Sequence, residues 1–403
     1  MSERHPIPYG KQHITQNDID AVTEVLKSDY LTQGPRIEMF EKAFSEYIGS
    51  DYAVAVSNGT AALHLCAMAL GVNSKTKVIT SPITFSASAN CVRYCGGEVV
   101  FADIDPETYL LDIRAVESML SEAPKGTYQG MIPVDFAGRA VDMEAFRDLA
   151  DQYGLWIIED ACHAPGGYFT DSSGQEQFCG NGSFADLAIF SFHPVKHIAA
   201  GEGGMITTNS EELYHKLIKL RTHGITKNSS EFKNSLDLAV GETHDSSLKT
   251  QDYPGWYMEM QELGYNYRLT DFQAALGMSQ LGRADEGMKH RREIASRYES
   301  AFEGCEFIRG QSGGVEGHAY HLYVIEVDDR KGLYDELRKH RVYAQIHYVP
   351  VHLMPYYRQF GWKSGDFPHA ESYYSACISL PMYPTLSAEE QQFVIDTVKN
   401  YYA

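Results

Sequence analysis

Three segments, each following a strand-like run of apolar residues, carry side chains with complementary chemistry. Gly59 and Thr60 open a helical pattern, and a helix N-terminus with a nearby hydroxyl suits a phosphate group. Asp160 places a carboxylate after a second run. Lys196 lies in the segment Ser191–His197, whose aromatic, apolar and imidazole neighbours would desolvate the amine, lower its pKa and make it nucleophilic.

Together these groups match the requirements of pyridoxal phosphate. A lysine can hold the cofactor as a Schiff base, a carboxylate can keep a proton on the ring nitrogen, and a helix N-terminus can bind the phosphate. Each group alone also has an ordinary explanation, as a helix cap, a solvated or metal-binding acid, or a solvated lysine. The motifs GxGxxG and GxxxxGK[ST] are absent, which argues against dinucleotide or nucleoside triphosphate chemistry.

The elements that must position these residues alternate in type. Helical patterns at 61–70, 85–94, 113–120 and 143–153 separate apolar runs, which predicts a mostly parallel sheet covered on both faces, with ligands at the carboxyl ends of its strands. The predicted strands are Tyr52–Ser57, Lys77–Thr80, Glu98–Phe101, Met131–Val134, Leu155–Glu159, Leu187–Phe190 and Met205–Thr208.

The second half of the chain has fewer strand-like runs. Residues 225–262 are rich in Asn, Ser and Asp and predict a long loop, and a helix is predicted from Leu269 to about Phe302. The last 101 residues show one clear terminal helix at 388–401. We expect an α/β protein with an N-terminal arm at 1–14, a large domain at 15–270 and a smaller α+β domain at 271–403.

Composition excludes several classes of function. The 403 residues carry 34 Lys and Arg against 54 Asp and Glu, a net charge of −20, which disfavours binding to nucleic acid or to an anionic membrane surface. No apolar stretch reaches the roughly 18 residues of a spanning helix, and the N-terminus lacks a signal-peptide core. The seven cysteines form no CxxC pair, so we expect reduced thiols and a cytoplasmic protein.

The order of several motifs along the chain resembles the DegT/DnrJ/EryC1/StrS family of sugar aminotransferases, nearly from end to end. This resemblance implies a fold-type-I, pyridoxal-phosphate-dependent enzyme that aminates a keto sugar nucleotide. The motifs are Leu31–Pro35, Asn58–Leu63, Ser81–Phe85, Glu159–Ala161, Ser191–Lys196, Gly201–Gly204 and Gly264–Asp271.

Further segments are similar to the branch of that family that makes UDP-4-amino-4,6-dideoxy-N-acetyl-beta-L-altrosamine, for pseudaminic acid. They are Pro8–Gln12, Ser28–Gly34, Trp256–Arg268 and Gln345–His352. Spacing alone does not decide whether the sugar is aminated at carbon 3 or at carbon 4. It also leaves other 4-keto-6-deoxy sugars as possible acceptors.

The resemblance also implies a role for individual residues. Lys196 would hold the cofactor and move protons, Asp160 would face the ring nitrogen, and Phe85 would stack on the ring. His163 would lie near the ring hydroxyl. The phosphate would be bound by Gly59, Thr60 and Ser191, with Asn266 reaching it from the partner subunit. The expected contacts to the sugar nucleotide are Tyr9, Asp29, Tyr30, Leu31, Thr32, His347 and Tyr348.

The implied assembly is a homodimer with composite active sites, and the implied amino donor is L-glutamate. Two rival functions are disfavoured. A sugar 3-dehydratase of this fold would carry histidine in place of Lys196, and a regulatory ligand-binding relative would lack the intact set of cofactor residues. A zinc site at His347 and His352 is disfavoured because no cysteine or acidic ligand follows at a zinc spacing. We therefore expect no metal.

Overall fold

A computed structural model of the protein describes residues 5–241, 252–311 and 316–403. The start of the predicted N-terminal arm and part of the predicted loop at 225–262 lie outside these ranges. The strands are β1 (Ile7–Pro8), β2 (Tyr52–Val56), β3 (Lys77–Thr80), β4 (Glu98–Phe101), β5 (Gly130–Ile132), β6 (Trp156–Asp160), β7 (Tyr168–Thr170), β8 (Glu176–Phe178), β9 (Leu187–Ser191), β10 (Gly204–Thr208), β11 (Ile225–Thr226), β12 (Glu259–Met260), β13 (Ile308–Gly310), β14 (Tyr323–Val327), β15 (Val342–Tyr343) and β16 (Cys377–Leu380).

The α-helices are distributed along the whole described chain. They are α1 (Gln16–Leu26), α2 (Pro35–Ile48), α3 (Gly59–Ala69), α4 (Ala87–Tyr94), α5 (Ile113–Glu122), α6 (Met143–Tyr153), α7 (Glu211–Arg221), α8 (Leu236–Val240), α9 (Asp271–Leu281), α10 (Ala284–Phe302), α11 (Arg330–Lys339), α12 (Pro355–Arg358), α13 (Pro368–Ala376) and α14 (Ala388–Tyr402).

The seven predicted strands form one sheet in the order β2-β10-β9-β6-β5-β3-β4, which confirms the α/β fold. Neighbouring strands are parallel except β10, which runs antiparallel to both β2 and β9. The carboxyl ends of β2, β6 and β9 therefore lie at one edge, where the helix α3 also begins. This arrangement brings the three predicted chemical segments to a common crevice.

Helices cover both faces of this sheet, as the continuous apolar strands require. On one face, buried strand residues such as Val54 and Ile158 share a core with α3, α5 and α6. On the other face α2 packs through Phe44, whose ring lies 4.9 Å from that of Phe190 on β9. The central strands are thus buried on both sides.

A second, smaller sheet of order β13-β14-β16 is antiparallel and forms a separate core with α10, α11 and α14. The N-terminal strand β1 pairs in parallel with β15, so that Ile7 is buried in this second core. The exact domain limits at residues 14 and 270 remain predictions.

Two predictions of secondary structure were wrong. The helix expected at 269–302 is two helices, because α9 ends at Leu281, the C-cap is Gly282, and Arg283 leaves the helical conformation with φ −131° and ψ 20°. Glycine is a poor helix former, and α9 packs instead on α1 and α2. The expected loop at 225–262 contains β11, α8 and β12, and the C-terminal region contains α11 and α13 before its terminal helix.

No helix among the described residues is long and apolar enough to cross a membrane. All seven cysteines are free.

Candidate active site

A cavity of about 840 Å³ lies at the carboxyl edge of the large sheet and is partly closed by the segment 345–348 from the C-terminal region. Clefts of this size are typical of sites for small molecules and cofactors. Of the residues predicted for the site, the cavity is lined by Tyr9, Gly59, Thr60, Phe85, Asp160, His163, Ser191, Lys196, His347 and Tyr348.

One end of the cavity is built as an anion-binding site. Helix α3 begins at Gly59, and the side chain of its N-cap, Asn58, accepts a hydrogen bond of 2.8 Å from the Ala61 N–H. The other first-turn N–H groups of a helix have no acceptor within it, and they face an anion favourably. Ser191 lies opposite, and a Cβ added to Gly59 would come within 3.1 Å of the Ser191 Cβ.

The tight approach of β10 to this helix start depends on Gly204. A Cβ at this position would lie 2.7 Å from the carbonyl carbon and oxygen of Asn58. The glycine-rich bend found in the sequence thus lets the antiparallel strand pass directly behind the anion-binding end of the cavity.

Asp160 is the last residue of β6, is 5% exposed, and has both carboxylate oxygens hydrogen-bonded. Its Oδ2 accepts a bond of 2.6 Å from the Ser88 Oγ, and its Oδ1 accepts one of 3.2 Å from the Cys162 N–H. Ser88 Oγ also lies 2.8 Å from Thr84 Oγ. These bonds fix a negatively charged group at the wall of the cavity.

Lys196 lies in a turn after β9, where its backbone N–H donates to the His193 carbonyl at 2.8 Å. The residue is half-buried, with its amine lining the cavity. Burial lowers the pKa of this amine, and Arg291 acts in the same direction, whereas Cys162 and Asp160 raise the pKa. The balance favours a more nucleophilic amine than that of an exposed lysine.

His163 is buried and uncharged. Its Nδ1 accepts a hydrogen bond of 3.2 Å from the Ala137 N–H, which places the ring proton on Nε2, 3.4 Å from the Tyr348 hydroxyl. Burial lowers the pKa of His163 well below its usual value, and Lys196 adds to this effect. The Nε2–H group is therefore a neutral donor at the cavity.

His347 and Tyr348 complete the wall opposite the large sheet. The Nδ1 atom of His347 lies 2.8 Å from the Ser379 hydroxyl, and its ring centroid is 5.2 Å from that of Tyr9. His352 turns to a different partner, with Nε2 at 3.0 Å from Glu371. The two histidines therefore have separate hydrogen-bonding partners.

Five predicted residues do not line this cavity. Asn266 is exposed and forms an antiparallel bridge with Thr222. The other four form the exposed segment Asp29, Tyr30, Leu31 and Thr32. The roles assigned to these five residues remain predictions.

Two residues with clear geometric roles were missed in the sequence. Ser88 lies three positions after Phe85 and donates a hydrogen bond to Asp160. A serine one helical turn after the residue predicted to stack on the ring was the signal that could have identified it. His321 lies 125 positions after Lys196, yet its Nε2 is 3.4 Å from the Lys196 Nζ. Spacing offers no signal for that contact because it joins separate parts of the fold.

Known proteins share this fold and sequence pattern over nearly the whole chain. A profile of the DegT/DnrJ/EryC1/StrS aminotransferase family matches residues 12–399. The spore coat polysaccharide biosynthesis protein SpsC of Bacillus subtilis is 38% identical, covering 99% of this chain and 98% of that protein. A UDP-4-amino-4,6-dideoxy-N-acetyl-beta-L-altrosamine transaminase of Campylobacter jejuni is 35% identical, covering 97% and 96%.

A solved structure shows the same agreement. Helicobacter pylori PseC, described as an aminotransferase involved in the biosynthesis of pseudoaminic acid, superposes with a TM-score of 0.85 at 28% identity. The alignment covers 99% of each chain.

Proposed function

The chain belongs to the DegT/DnrJ/EryC1/StrS aminotransferase family, and we propose that it makes UDP-4-amino-4,6-dideoxy-N-acetyl-beta-L-altrosamine. The family identifies the chain as a pyridoxal-phosphate-dependent sugar aminotransferase. In the proposed reaction L-glutamate donates the amino group. The acceptor is UDP-linked 2-acetamido-2,6-dideoxy-β-L-arabino-hexos-4-ulose, aminated at carbon 4.

The observation that carries the aminotransferase chemistry is that one cavity joins an anion-binding helix start, a fixed carboxylate and a partly desolvated amine; the choice of sugar is supported by the similarity to the altrosamine transaminase. This donor set fits pyridoxal phosphate, whose phosphate, ring nitrogen and aldehyde need these three groups. The close packing of Gly59 against Ser191 leaves a cradle that a side chain would fill. When bound, the cofactor supplies an aldehyde that exchanges amino groups and a ring that accepts electrons from the substrate carbon.

The chain's own residues would bind the cofactor and move protons. In the proposal the first turn of α3, with Thr60 and Ser191, binds the phosphate. Asp160 holds the proton of the ring nitrogen because a fixed anion stabilises the protonated form. Lys196 would hold the cofactor through its amine and would carry the proton that the exchange of amino groups requires.

The remaining contacts would orient the ring and the substrate. We assign Phe85, which is 59% exposed at the cavity, to the face of the ring, and the Nε2–H donor of His163 to its hydroxyl. Tyr9, His347 and Tyr348 would meet the sugar nucleotide. Precise placement of the keto carbon matters because a shift of about 1 Å can reduce the rate about 10²-fold.

We further propose that the enzyme is a homodimer in which each site uses both chains. The exposed position of Asn266, away from its own cavity, supports this assignment. Large apolar side chains are exposed nearby in sequence: Trp256 at 78%, Met260 at 65% and Leu263 at 71%. A concentration of exposed apolar residues is typical of a protein–protein interface. In the dimer the segment 29–32 would also serve the partner's site.

The similarity to SpsC leaves a different sugar nucleotide as a second candidate for the acceptor. SpsC is more similar to this chain than the altrosamine transaminase is, at 38% against 35% identity. The name of SpsC specifies a polysaccharide pathway and no sugar. The acceptor must therefore be decided by competition.

The test measures kcat/KM with glutamate and three competing acceptors: the L-arabino 4-keto sugar, its UDP-linked D-xylo epimer, and dTDP-4-keto-6-deoxyglucose. The proposal predicts preference for the L-arabino sugar, by at least about tenfold, because a pocket shaped for one face of the ring misplaces the carbon of the other. Equal or higher efficiency with either competitor would contradict the altrosamine assignment and leave the aminotransferase assignment standing.

A further inference from the structure

His321 is a histidine of the cavity wall that contacts the reactive amine itself. Its Nε2 atom lies 3.4 Å from the Lys196 Nζ, a long hydrogen bond. The residue is 4% exposed, and its Nδ1 atom has no hydrogen-bond partner among the described residues. One ring nitrogen of this buried imidazole thus contacts the Lys196 amine and the other has no partner, and these surroundings restrict which nitrogen can carry the ring proton.

The position of His321 is fixed by a buried cation. Arg291, 1% exposed on α10, donates from one terminal nitrogen to the carbonyls of Tyr320 at 3.1 Å, His321 at 3.4 Å and Met382 at 3.1 Å. On the other side, a Cβ added to Gly138 would lie 2.9 Å from the His321 backbone nitrogen. These contacts hold the backbone of His321, and its ring packs against that of His163, with the two centroids 4.3 Å apart.

The groups that face His321 keep it uncharged. Burial lowers the pKa of His321 well below its usual value, and the positive charge of Arg291 acts in the same direction. The neighbouring imidazoles of His163 and His197 are themselves held neutral by burial. His321 thus carries one ring proton, on either Nε2 or Nδ1.

The surroundings decide between these two tautomers. A proton on Nδ1 would leave a buried N–H group with no acceptor, which is the costlier form of an unsatisfied polar atom. A proton on Nε2 leaves only an unpaired acceptor and points the N–H at Lys196. The lone pair of the lysine nitrogen can accept that bond only when the amine is uncharged.

We propose that His321 is a positioning residue that holds the Lys196 amine uncharged and aimed within the cavity, by donating its Nε2–H to the amine nitrogen. The inference rests on the proposed function in one respect: Lys196 is the amine that attaches the cofactor. An uncharged amine has the lone pair that this attachment requires. His321 would thus oppose Asp160 and Cys162, which favour the charged form.

The experiment measures the protonation of Lys196 directly in the full chain freed of cofactor, with its fold checked by circular dichroism. Trace acetic anhydride acylates only uncharged amines, so the extent of labelling against pH, read by peptide mass spectrometry, gives the midpoint for each lysine. The exposed Lys75 is the internal reference. The variants are His321→Leu, which removes the donor, and His321→Gln, which keeps an amide donor.

A matched control is His197→Leu. His197 is also an enclosed imidazole beside Arg291, but its Nε2 is 2.8 Å from the Ala319 carbonyl and makes no hydrogen bond to the Lys196 amine. The control therefore creates a comparable apolar substitution close to Lys196 without removing a donor to its amine. If His321→Leu does not fold, His321→Asn replaces it, because its amide is one methylene shorter than that of glutamine.

We expect the Lys196 midpoint to lie below that of Lys75 and to rise in His321→Leu by about half to one pH unit, the equivalent of one hydrogen bond. At a fixed pH below the midpoint, this is about a threefold to tenfold loss of uncharged amine. His321→Gln should stay near the wild type, and His197→Leu should not shift the midpoint.

An unchanged midpoint in His321→Leu would overturn the inference. So would a fall, because it would mean that His321 accepts a bond from the charged amine. An equal rise in His197→Leu would reduce the effect to general packing. Borohydride reduction of the holoenzyme separates this inference from the proposed function: cofactor fixed on another lysine would refute the function, whatever the midpoints are.

Discussion

At the scale of single residues, replacement of Lys196 should abolish both the attachment of the cofactor and its turnover. In Lys196→Ala we expect transamination to fall by more than about 10²-fold, since the variant lacks both the attachment amine and the proton carrier. The visible absorbance of covalently held cofactor should disappear from the purified protein. The fold should survive, because the side chain is half-buried and lines a cavity.

The control for this prediction is Lys75→Ala, an exposed lysine outside the cavity, which should keep both absorbance and activity. Circular dichroism and a thermal melt would establish that the Lys196 variant is folded. Turnover at the wild-type rate in that variant would show that Lys196 is not the catalytic amine.

Asp160 and Ser88 provide a graded test of the ring-nitrogen contact. Asp160→Asn keeps the shape but removes the charge, so we expect cofactor to bind and turnover to fall by about 10²-fold or more. Ser88→Ala keeps the charge but removes the bond of 2.6 Å to the carboxylate, together with the contact to Thr84, and we expect a smaller loss, of about tenfold, the equivalent of one hydrogen bond to a charged group. Steady-state kinetics with glutamate as donor measures both. Near wild-type rates in Asp160→Asn would leave Asp160 as an ordinary strand-end acid.

At the scale of elements, the strand ends were predictable and the contacts between distant segments were not. Apolar runs placed Asp160 and Lys196 at one edge of the sheet, because parallel strands separated by helices end on the same side. The break at Gly282 depends on how α9 packs against α1 and α2, which a local pattern does not contain. The contact of His321 with Lys196 likewise depends on the packing of the C-terminal region against the large sheet.

The neighbouring ends of β5 and β6 also hold an acidic pair that the mechanism does not use. Asp135 and Glu159 are buried, and together with Cys179 they place their ligand atoms within 4.8 Å of one another. Burial raises the pKa of Asp135 to about 7 and that of Glu159 well above its usual value. Since Asp135 Oδ2 has no other partner among the described residues, a protonated Glu159 is its natural donor.

This pair predicts a pH dependence of stability. An acid whose pKa is higher in the folded state binds more protons when folded, so its contribution weakens as pH rises from about 4, its unfolded pKa, toward 7. In Glu159→Gln the amide can donate to Asp135 without titrating. Because burial raises the pKa of Glu159 in the folded protein, we expect the variant to gain stability over the wild type as pH rises above about 4.3, the unfolded pKa of a glutamate, by up to about 1.4 kcal/mol per pH unit.

Urea unfolding at several pH values would measure this difference. Glu46→Gln, which replaces an exposed carboxylate on α2, should show no such trend relative to the wild type. A difference between Glu159→Gln and the wild type that stays constant with pH would mean that Glu159 is not protonated in the folded protein.

At the scale of the whole molecule, one chain forms most of the cavity, but some residues predicted for the site do not line it. Tyr9, Thr60, Lys196 and Tyr348 come from widely separated parts of the sequence and line one cavity. Asn266 and the exposed segment 29–32 do not. The proposed two-fold dimer would bring them to the partner's site, since each chain then offers the same surface to the other.

Hybrid dimers test this arrangement directly. If the Asn266 of each chain serves the site that contains the other chain's Lys196, then mixing Lys196→Ala chains with Asn266→Ala chains produces a dimer with one doubly damaged site and one intact site. Because a two-fold interface makes the pairing of chains statistical, exchange of equal amounts should place about half of the dimers in this hybrid class. Each hybrid dimer has one intact site of its two, so activity should rise above that of either parent, toward about a quarter of the wild-type value per total site. Native mass spectrometry of differently tagged chains would confirm that subunits exchange. The matched control is a mixture of Lys196→Ala chains with Asp160→Asn chains, because both residues line the cavity of the same chain. Its hybrid dimer has one damaged residue in each site, so no activity should be recovered. Confirmed exchange without recovery in the Asn266 mixture would place Asn266 in the site of its own chain and contradict the composite site.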